Sequence, residues 1–372
     1  MSEVVAEPFD LTTEQREIRD LCRTFAEREI RPIALAVDEA DTEMPWKIWQ
    51  KAAGVGLTSF MLPEEYGGGG LTDCLTACVV QEELCWGCSG IGNLVTSGGF
   101  FAEPILALGN DEQKRRWLEP LCTPKPPLGA LATTEPAAGS DAASIETTAT
   151  QKEGGYVLRG QKSWISNGGV AEYYVVFATV APGTRSRGVT AFVVERGDEG
   201  VRFGAPMRKM GQRAIVNAEM FLDDAFVPED RRLGDEGQGF HGLMATFDRS
   251  RIVLGAAATG LARAALEYAV DYAKDREQFG KPIAEHQAVA FRLADMATRI
   301  DAARLLVWQS AVLLDQGKRN TIESSHAKRF AADTAMEVTT DAVQVYGGYG
   351  FIKDYPVEKL MRDAKIMQLY EG

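Results

Sequence analysis

The chain changes texture twice, and that alternation limits its fold more than any single motif. Between about residues 129 and 236, β-branched and aromatic runs recur: Tyr156-Val157-Leu158, Tyr174-Val175-Val176-Phe177 and Ala191-Phe192-Val193-Val194. Gly, Asn, Pro and Ser separate them, the pattern of strands and turns. Further strand-like pieces surround Val201-Arg202-Phe203 and Ala218-Glu219-Met220-Phe221. On both flanks the apolar spacing is helical, so a β unit sits between two helical ones.

Thr12-Thr13-Glu14-Gln15 has the form of a capping box. Ile18, Leu21, Phe25 and Ile30 follow at helical spacing, and Pro32 interrupts them. A turn at Glu65-Tyr66-Gly67-Gly68-Gly69-Gly70 precedes a helical run from about Asp73 to Cys85, and Asp111-Glu112-Gln113-Lys114 opens a shorter one. Beyond Gly239, Leu261, Ala265, Tyr268 and Tyr272 form one stripe. Val289, Leu293, Met296, Ile300, Ala303 and Val307 alternate spacings of four and three, the seam of a helix bundle. A last helix is expected over about Thr321 to Val345. All these stripes are read as core packing.

The fold class expected is therefore α+β and multidomain: residues 1–128 an N-terminal all-α domain, 129–236 a middle antiparallel β-barrel or sandwich, and 237–372 a C-terminal four-helix bundle. A chain of 372 residues also exceeds one ordinary core.

The formal net charge of -13 argues against a nucleic-acid partner, which needs a basic footprint. Acidic and polar residues follow Met1, without the basic and apolar regions of a secretory signal, so a cytoplasmic protein is expected. No stretch of about 18 apolar residues is seen, so no membrane span is expected. Of six cysteines, Cys74, Cys78, Cys85 and Cys88 cluster, and Cys85-Trp86-Gly87-Cys88 is a CxxC. A zinc or redox site needs such spacing, but the surroundings are apolar and helical, so buried core thiols are the preferred reading. His241, His286 and His326 stand at no metal-ligand spacing, and no metal is expected. An acid or base here is more naturally a carboxylate.

Several segments could carry chemistry. The turn Glu135-Pro136-Ala137-Ala138-Gly139-Ser140-Asp141, after Thr133-Thr134, offers N–H groups and hydroxyls to a phosphate, carbonyl or flavin edge. In Gly160-Gln161-Lys162-Ser163-Trp164-Ile165-Ser166-Asn167-Gly168-Gly169, Trp164 and Ser166 fall on one side of a strand, where a ring and a hydroxyl can meet a flat heterocycle. A core Trp beside a turn Ser explains the same pattern equally well. Asp248-Arg249-Ser250-Arg251 puts Asp248 and Arg251 on one helix face, most simply a solvated pair. Asp275-Arg276-Glu277-Gln278-Phe279-Gly280-Lys281 sets an Arg, the natural phosphate ligand, beside an exposed-looking Phe. Gln344-Val345-Tyr346-Gly347-Gly348-Tyr349-Gly350 ends a helix with glycines. These suit a left-handed cap or close backbone approach to a ligand.

Together, TEPAAGSD at 134–141, GQKSWISNGG at 160–169, DRSR at 248–251, DREQFGKPIAEHQ at 275–287, QVYGGYG at 344–350, YPVEKLMRDAK at 355–365 and LYEG at 369–372 resemble the acyl-CoA dehydrogenase family. The resemblance covers essentially the whole chain and is nearest to short- and medium-chain members. It implies FAD, bound noncovalently between the β-domain and the C-terminal bundle of a homodimer or homotetramer. It assigns Thr133, Thr134, Gly139, Ser140, Trp164, Ile165 and Ser166 to the flavin region. Arg276, Gln278, Phe279, His286, Gln287, Gln344, Val345, Gly347 and Gly348 match positions that touch FAD, partly from a neighbouring subunit. Ser140, Asp248, Arg251, Tyr370 and Gly372 match substrate contacts. The family also implies a short tail past Gly372 that covers the flavin.

Glu371 matches the family's catalytic base. A subgroup carries its base near the position of Ser250, which here is not a base. The activity implied is α,β-dehydrogenation of an acyl-CoA in fatty-acid β-oxidation: Glu371 takes the α-proton, flavin N5 the β-hydride, and an electron-transfer flavoprotein the electrons. An apolar pocket is expected to raise the Glu371 pKa toward working pH. Alternatives are an oxidase, a relative acting on an acyl carrier protein thioester or a nitroalkane, and a non-catalytic helical scaffold.

Overall fold

The computed structural model describes residues 11–371, and its first helix begins as its sequence dictates. Thr12 caps α1 (Thr13–Phe25), its side chain accepting from the Gln15 N–H while the Gln15 side chain reaches back to the Thr12 N–H. Cys22, Phe25 and Ile30 are buried along this stretch, whereas Leu21 is 41% exposed. The buried stripe runs through Ile18, Cys22, Phe25 and Ile30, so the expected apolar face holds except that Cys22 takes the place of Leu21. Short α2 (Ala34–Ala40) and α3 (Trp46–Gly54) follow, then α4 (Cys74–Gly87), α5 (Ser89–Val95), α6 (Gly98–Leu108) and α7 (Asp111–Leu118). Helix α7 has its own capping box, from Asn110 and Gln113.

Every residue of α4 is buried, the condition of a helix surrounded by protein. Two of those residues are carboxylates, and each has a cationic partner. Glu82 accepts from Arg263 at 2.9 Å and from Arg304 at 2.9 Å, and Glu83 pairs with Arg263 at 2.5 Å. Cys74, Cys78, Cys85 and Cys88 are buried free thiols in or beside this helix, and no metal-binding cluster occurs among the described residues.

The strands are β1 (Gly129–Ala132), β2 (Thr148–Lys152), β3 (Gly155–Ser166), β4 (Tyr173–Thr179), β5 (Val189–Glu195), β6 (Val201–Phe203), β7 (Asn217–Pro228) and β8 (Arg232–Leu233). They form one eight-stranded sheet in the order β6-β7-β3-β2-β4-β5-β8, with β1 on β4. It is mostly antiparallel, but β1 runs parallel to β4, pairing Gly129 with Tyr173. Gly129 is required there, because a Cβ would lie 2.4 Å from the Phe101 ring. The pairing of β3 with β7 slips between Lys162 and Ile165. This bulge puts Trp164 at a φ of 65°, which the sequence pattern did not reveal.

The C-terminal part is built on α8 (Gly239–Asp275), α9 (Gln287–Asp315) and α10 (Thr321–Tyr346), with the shorter α11 (Val357–Lys365) packed on α10. Between α8 and α9, β9 (Glu277–Gln278) and β10 (Lys281–Pro282) form a small hairpin. Met296, Ile300, Ala303 and Val307 are buried along α9, while Val289 and Leu293 pack at the edge of the same core. Helix α8 also lies against α4. Gly260 allows this, since a Cβ there would come within 2.1 Å of the Glu82 carbonyl oxygen. The expectation of no span-length apolar stretch is corrected in one respect. Ser89–Leu108 and Gly239–Asp275 are long and apolar enough to cross a membrane, but 61% and 72% of the respective most apolar windows lie buried inside the protein. In the second, Ala and Gly are prominent among the buried residues, and the Ala residues add to the hydropathy.

Candidate active site

Glu371 follows α11 after the turn at Ile366–Gln368. Three side chains from two long helices hold it. The Ser250 hydroxyl of α8 donates to its carboxylate at 2.7 Å, and Arg251 Nε of α8 donates to its backbone carbonyl at 2.9 Å. Lys328 of α10 donates to the carbonyl of Tyr370. Glu371 itself has a φ of 59°, a left-handed conformation that costs a non-glycine residue roughly 1–2 kcal/mol. Strain of this sort survives where surrounding bonds over-determine the backbone, as the two gripped carbonyls do here. Burial lifts the Glu371 carboxyl to about 7, against the opposing pull of Ser250, Arg251 and Lys328. Asp248 lies behind Arg251, 3.8 Å from its Nη1, and accepts from Thr321 at 2.9 Å. The pair is thus part of the bracket around Glu371, not a solvated surface pair.

Ser250 also lines a narrow cavity between α4, α6 and α8, with a volume of about 40 Å³. A water-sized group needs roughly 10–15 Å³ of such space, so only a few fit. Phe60, Met61, Phe100, Val253 and Leu254 supply an apolar wall. Gln81, Asn93, Thr96, Glu103 and Arg249 add polar groups.

Two further groups of predicted residues come together. Lys162 donates to the Thr133 carbonyl at 3.0 Å, and the Ser163 N–H donates to the Thr134 carbonyl at 2.8 Å. Thr133 and Thr134 therefore lie beside the bulge that carries Trp164, Ile165 and Ser166. Trp164 is 66% exposed and Ile165 is buried beneath it, so the ring is displayed, not used as core. The Thr133 hydroxyl is buried without a described partner, while Asn217 donates to Ser166 Oγ at 3.3 Å. Gly139 and Ser140 are exposed on the adjoining turn.

The second group surrounds a cavity of about 450 Å³ lined by Arg276, Gln278, Val345, Gly347 and Gly348, with Tyr272, Tyr346 and Tyr349. Tyr272 and Tyr346 stack at 4.0 Å, and the Arg276 guanidinium lies 5.7 Å from the Tyr349 ring. His286 Nε2 is 3.1 Å from the Gln278 carbonyl oxygen, and its ring meets Phe279 edge-on at 5.8 Å. Phe279 is 95% exposed. Gln287 and Gln344 are exposed beside this group. The first group does not line this cavity. Gly372 lies outside the described residues.

Sequence reasoning missed Ser250 as a partner of Glu371, and it missed Lys328 and the polar wall. The position of Ser250 between Arg249 and Arg251 gave a signal for the first. Lys328 sits in an ordinary helical run and gave none.

Family profiles described as the N-terminal, middle and C-terminal domains of acyl-CoA dehydrogenase match residues 12–125, 130–225 and 237–372. The chain belongs to the acyl-CoA dehydrogenase family. It is 46% identical over 365 residues to an acyl-CoA dehydrogenase of Bacillus subtilis (strain 168), covering 97% of this chain and 95% of that one. The structure of butyryl-CoA dehydrogenase from Megasphaera elsdenii superimposes with a TM-score of 0.94 at 40% identity, covering 98% of this chain and 96% of that one. A chain in a structure described as electron transferring flavoprotein of Acidaminococcus fermentans gives a TM-score of 0.94 at 44% identity, covering 98% and 95%.

The protein is thus an oxidoreductase of this family, and FAD is its cofactor. The residues present fit that group. A displayed Trp164 ring and an unpartnered Thr133 hydroxyl suit a flat heterocycle, and a guanidinium among stacked tyrosines suits a phosphate-linked base.

Proposed function

We propose that the protein oxidises a short-chain acyl-CoA thioester between its α- and β-carbons, with Glu371 as the base that removes the α-proton. The observation that carries this reading is the Glu371 carboxyl, raised to about 7 by burial and bonded to Ser250, a residue of the narrow cavity. A base works best when its pKa lies near the operating pH. Bound FAD supplies the acceptor for the β-hydride. Ser250 orients the carboxylate, while Arg251 and Lys328 fix the backbone that presents it. The partly buried setting of Glu371 limits the access of water to the proton transfer.

Thr133, Thr134, Trp164 and Ser166, on the middle domain of residues 129–236, would hold the flavin ring. Arg276, Gln278, Val345, Gly347 and Gly348, on the C-terminal domain of residues 237–372, would hold the rest of an FAD belonging to a neighbouring subunit. The exposed Phe279, Phe291 and Phe351 suit burial in a homodimer or homotetramer. Small cavity volume and the butyryl-CoA dehydrogenase relative favour short chains. Likeness to the chain in the flavoprotein structure favours an electron-transfer flavoprotein as acceptor.

Anaerobic titration of the FAD-loaded protein with straight and branched acyl-CoAs tests this reading. Short members are expected to bleach the visible flavin band. A yellow protein that no acyl-CoA bleaches would overturn it. The pH dependence adds a second prediction. Glu371 must be ionised to act, so the rate of flavin reduction should rise with pH through a midpoint near the 7 given by burial. Ser250→Ala removes a hydrogen bond that favours the charged form, so its midpoint should move to higher pH. A midpoint unmoved in Ser250→Ala would show that this bond does not tune the base.

A further inference from the structure

Gln81 and Asn93 of the cavity's polar wall belong to a relay of three amides that Gln212 completes from behind, and its direction is fixed at one end. Gln212 Nε2 faces the backbone carbonyl of Asp363 at 3.4 Å, and the Gln212 N–H donates to the Asp363 carboxylate at 2.5 Å. A backbone carbonyl can only accept, so the Gln212 amide must turn its nitrogen to it. Gln212 Oε1 then accepts from Asn93 Nδ2 at 2.8 Å, and Asn93 Oδ1 accepts from Gln81 Nε2 at 2.6 Å. Each link sets the next, so the usual ambiguity between amide oxygen and nitrogen is removed. What remains at the far end is Gln81 Oε1, an acceptor.

Gln81 is 1% exposed, lines the cavity, and its Oε1 has no donor among the described residues. A buried acceptor left without a donor costs roughly 1–3 kcal/mol. Two more groups of the lining have the same sign, while the buried Nε of Arg249 is a donor that only its ion pair with Glu103 satisfies. Thr96 and Thr246 spend their hydroxyl protons on the carbonyls of Gly92 and Gly242, at 3.2 and 2.9 Å. Both oxygens are therefore available only as acceptors. Arg249, the cation of the lining, pairs with Glu103 at 2.8 Å and donates to the Thr72 carbonyl at 2.8 Å. An anionic chain end would meet no unpaired cation and would lie beside Glu103. A cationic one would compete with Arg249 for the same carboxylate. A neutral donor suits the wall.

We infer that the acyl chain oxidised here carries a hydroxyl beyond its β-carbon, which donates to Gln81 Oε1. This rests on the acyl-CoA dehydrogenase reading above and narrows its substrate class. The hydroxyl must lie beyond the β-carbon, because the α- and β-carbons are the reacting ones. The apolar residues of the cavity cover the intervening methylenes. The amide relay makes Gln81 a rigid reader, because turning its oxygen away would break its bond to Asn93.

The test compares flavin reduction in the FAD-loaded enzyme by 4-hydroxybutyryl-CoA against butyryl-CoA, and by 5-hydroxypentanoyl-CoA against pentanoyl-CoA. The quantity read is the limiting reduction rate divided by the apparent Kd. In the wild type, at least one hydroxylated member should lead its plain partner by about tenfold, the worth of one well-made buried hydrogen bond. In Gln81→Met, which keeps the length of the side chain but not its acceptor, that ratio should fall to about one or below. If this variant does not retain FAD, the wild-type ratio decides alone. Plain chains reduced as fast as hydroxylated ones, or faster, would overturn the inference. So would a ratio unchanged in a Gln81→Met enzyme that retains FAD. If only other acyl-CoAs bleach the flavin, the inference fails while the dehydrogenase reading stands. If none does, both fail.

Discussion

Replacing Glu371 by Gln is expected to reduce the rate of flavin reduction by acyl-CoA by at least roughly 10²- to 10⁴-fold, the contribution of a positioned general base. FAD content should be unchanged, because the residues that fit the flavin lie on β3, on its neighbouring turn and around the hairpin of β9 and β10. The substitution is nearly isosteric. The oxygen of the introduced amide can still accept from Ser250, and the backbone bonds from Arg251 and Lys328 do not involve the side chain. What is lost is the ability to take a proton near neutral pH. Stopped-flow reduction with a saturating acyl-CoA, alongside the visible flavin spectrum of the same sample, measures both quantities. Near-wild-type reduction would place the base elsewhere. Loss of FAD together with activity would make Glu371 a structural residue.

Much of the frame behind this prediction is legible in the sequence, because it is written in local periodicities. The helical, β and helical textures, the Thr12 cap and the buried face of α9 all follow from residue spacing. Placement of Trp164 and Ser166 on one side of β3, with Ile165 on the other, follows from a period of two, but whether that side faces solvent or core does not. What is not legible is long-range. Lys328 meets Tyr370 across 42 positions, and Ser250 meets Glu371 across 121. The segment around Lys328 gives no sign of that meeting, and the run around Ser250 marks the residue without naming its partner. The amide relay joins Gln81, Asn93, Gln212 and Asp363 from three separate parts of the chain, and each residue alone looks like an ordinary polar position. The bulge at Trp164 is also hidden, since a register slip depends on the partner strand β7. Leu21 shows the opposite failure. Its spacing fits a buried stripe, yet small Cys22 fits the tightly packed side, and Leu21 is left outside.

The second large effect is expected on stability, at the pair of Lys162 and Glu135. Lys162 is fully buried and Glu135 is 5% exposed, with Nζ and Oε1 2.7 Å apart. Burial pulls Lys162 down to about 8, against the carboxylate that supports its charge. Glu135 is held below its ordinary value despite its own burial, because Lys162 and donors from Thr147 and Glu146 favour the anion. Both groups therefore remain charged at neutral pH. Their bonds reach further than each other: Lys162 also donates to the Thr133 carbonyl, and Glu135 accepts from the N–H groups of Glu146 and Thr147 at 2.6 and 3.0 Å. One pair thus fastens the whole turn between β1 and β2 onto β3, beside Trp164. Lys162→Met should strand the Glu135 charge in the interior and cost about 3–5 kcal/mol, the usual penalty for breaking a buried pair from one side. Glu135→Gln keeps one acceptor oxygen, enough for Lys162 and the Thr147 N–H, but turns its amide nitrogen toward the Glu146 N–H and leaves the ammonium uncompensated. It should still cost less, because Lys162, already pulled down to about 8, can shed its proton. In the double variant neither charge remains, so its loss should be smaller than the sum of the single losses. Thermal melts of the three variants, followed by flavin fluorescence as well as by far-UV circular dichroism, read this coupling. The flavin signal should be lost first in Lys162→Met, because the turn that frays adjoins Thr133 and Trp164, the residues proposed to hold the flavin ring. Additive losses in the double variant would mean that the two side chains stabilise the turn independently and that the ion pair contributes nothing of its own.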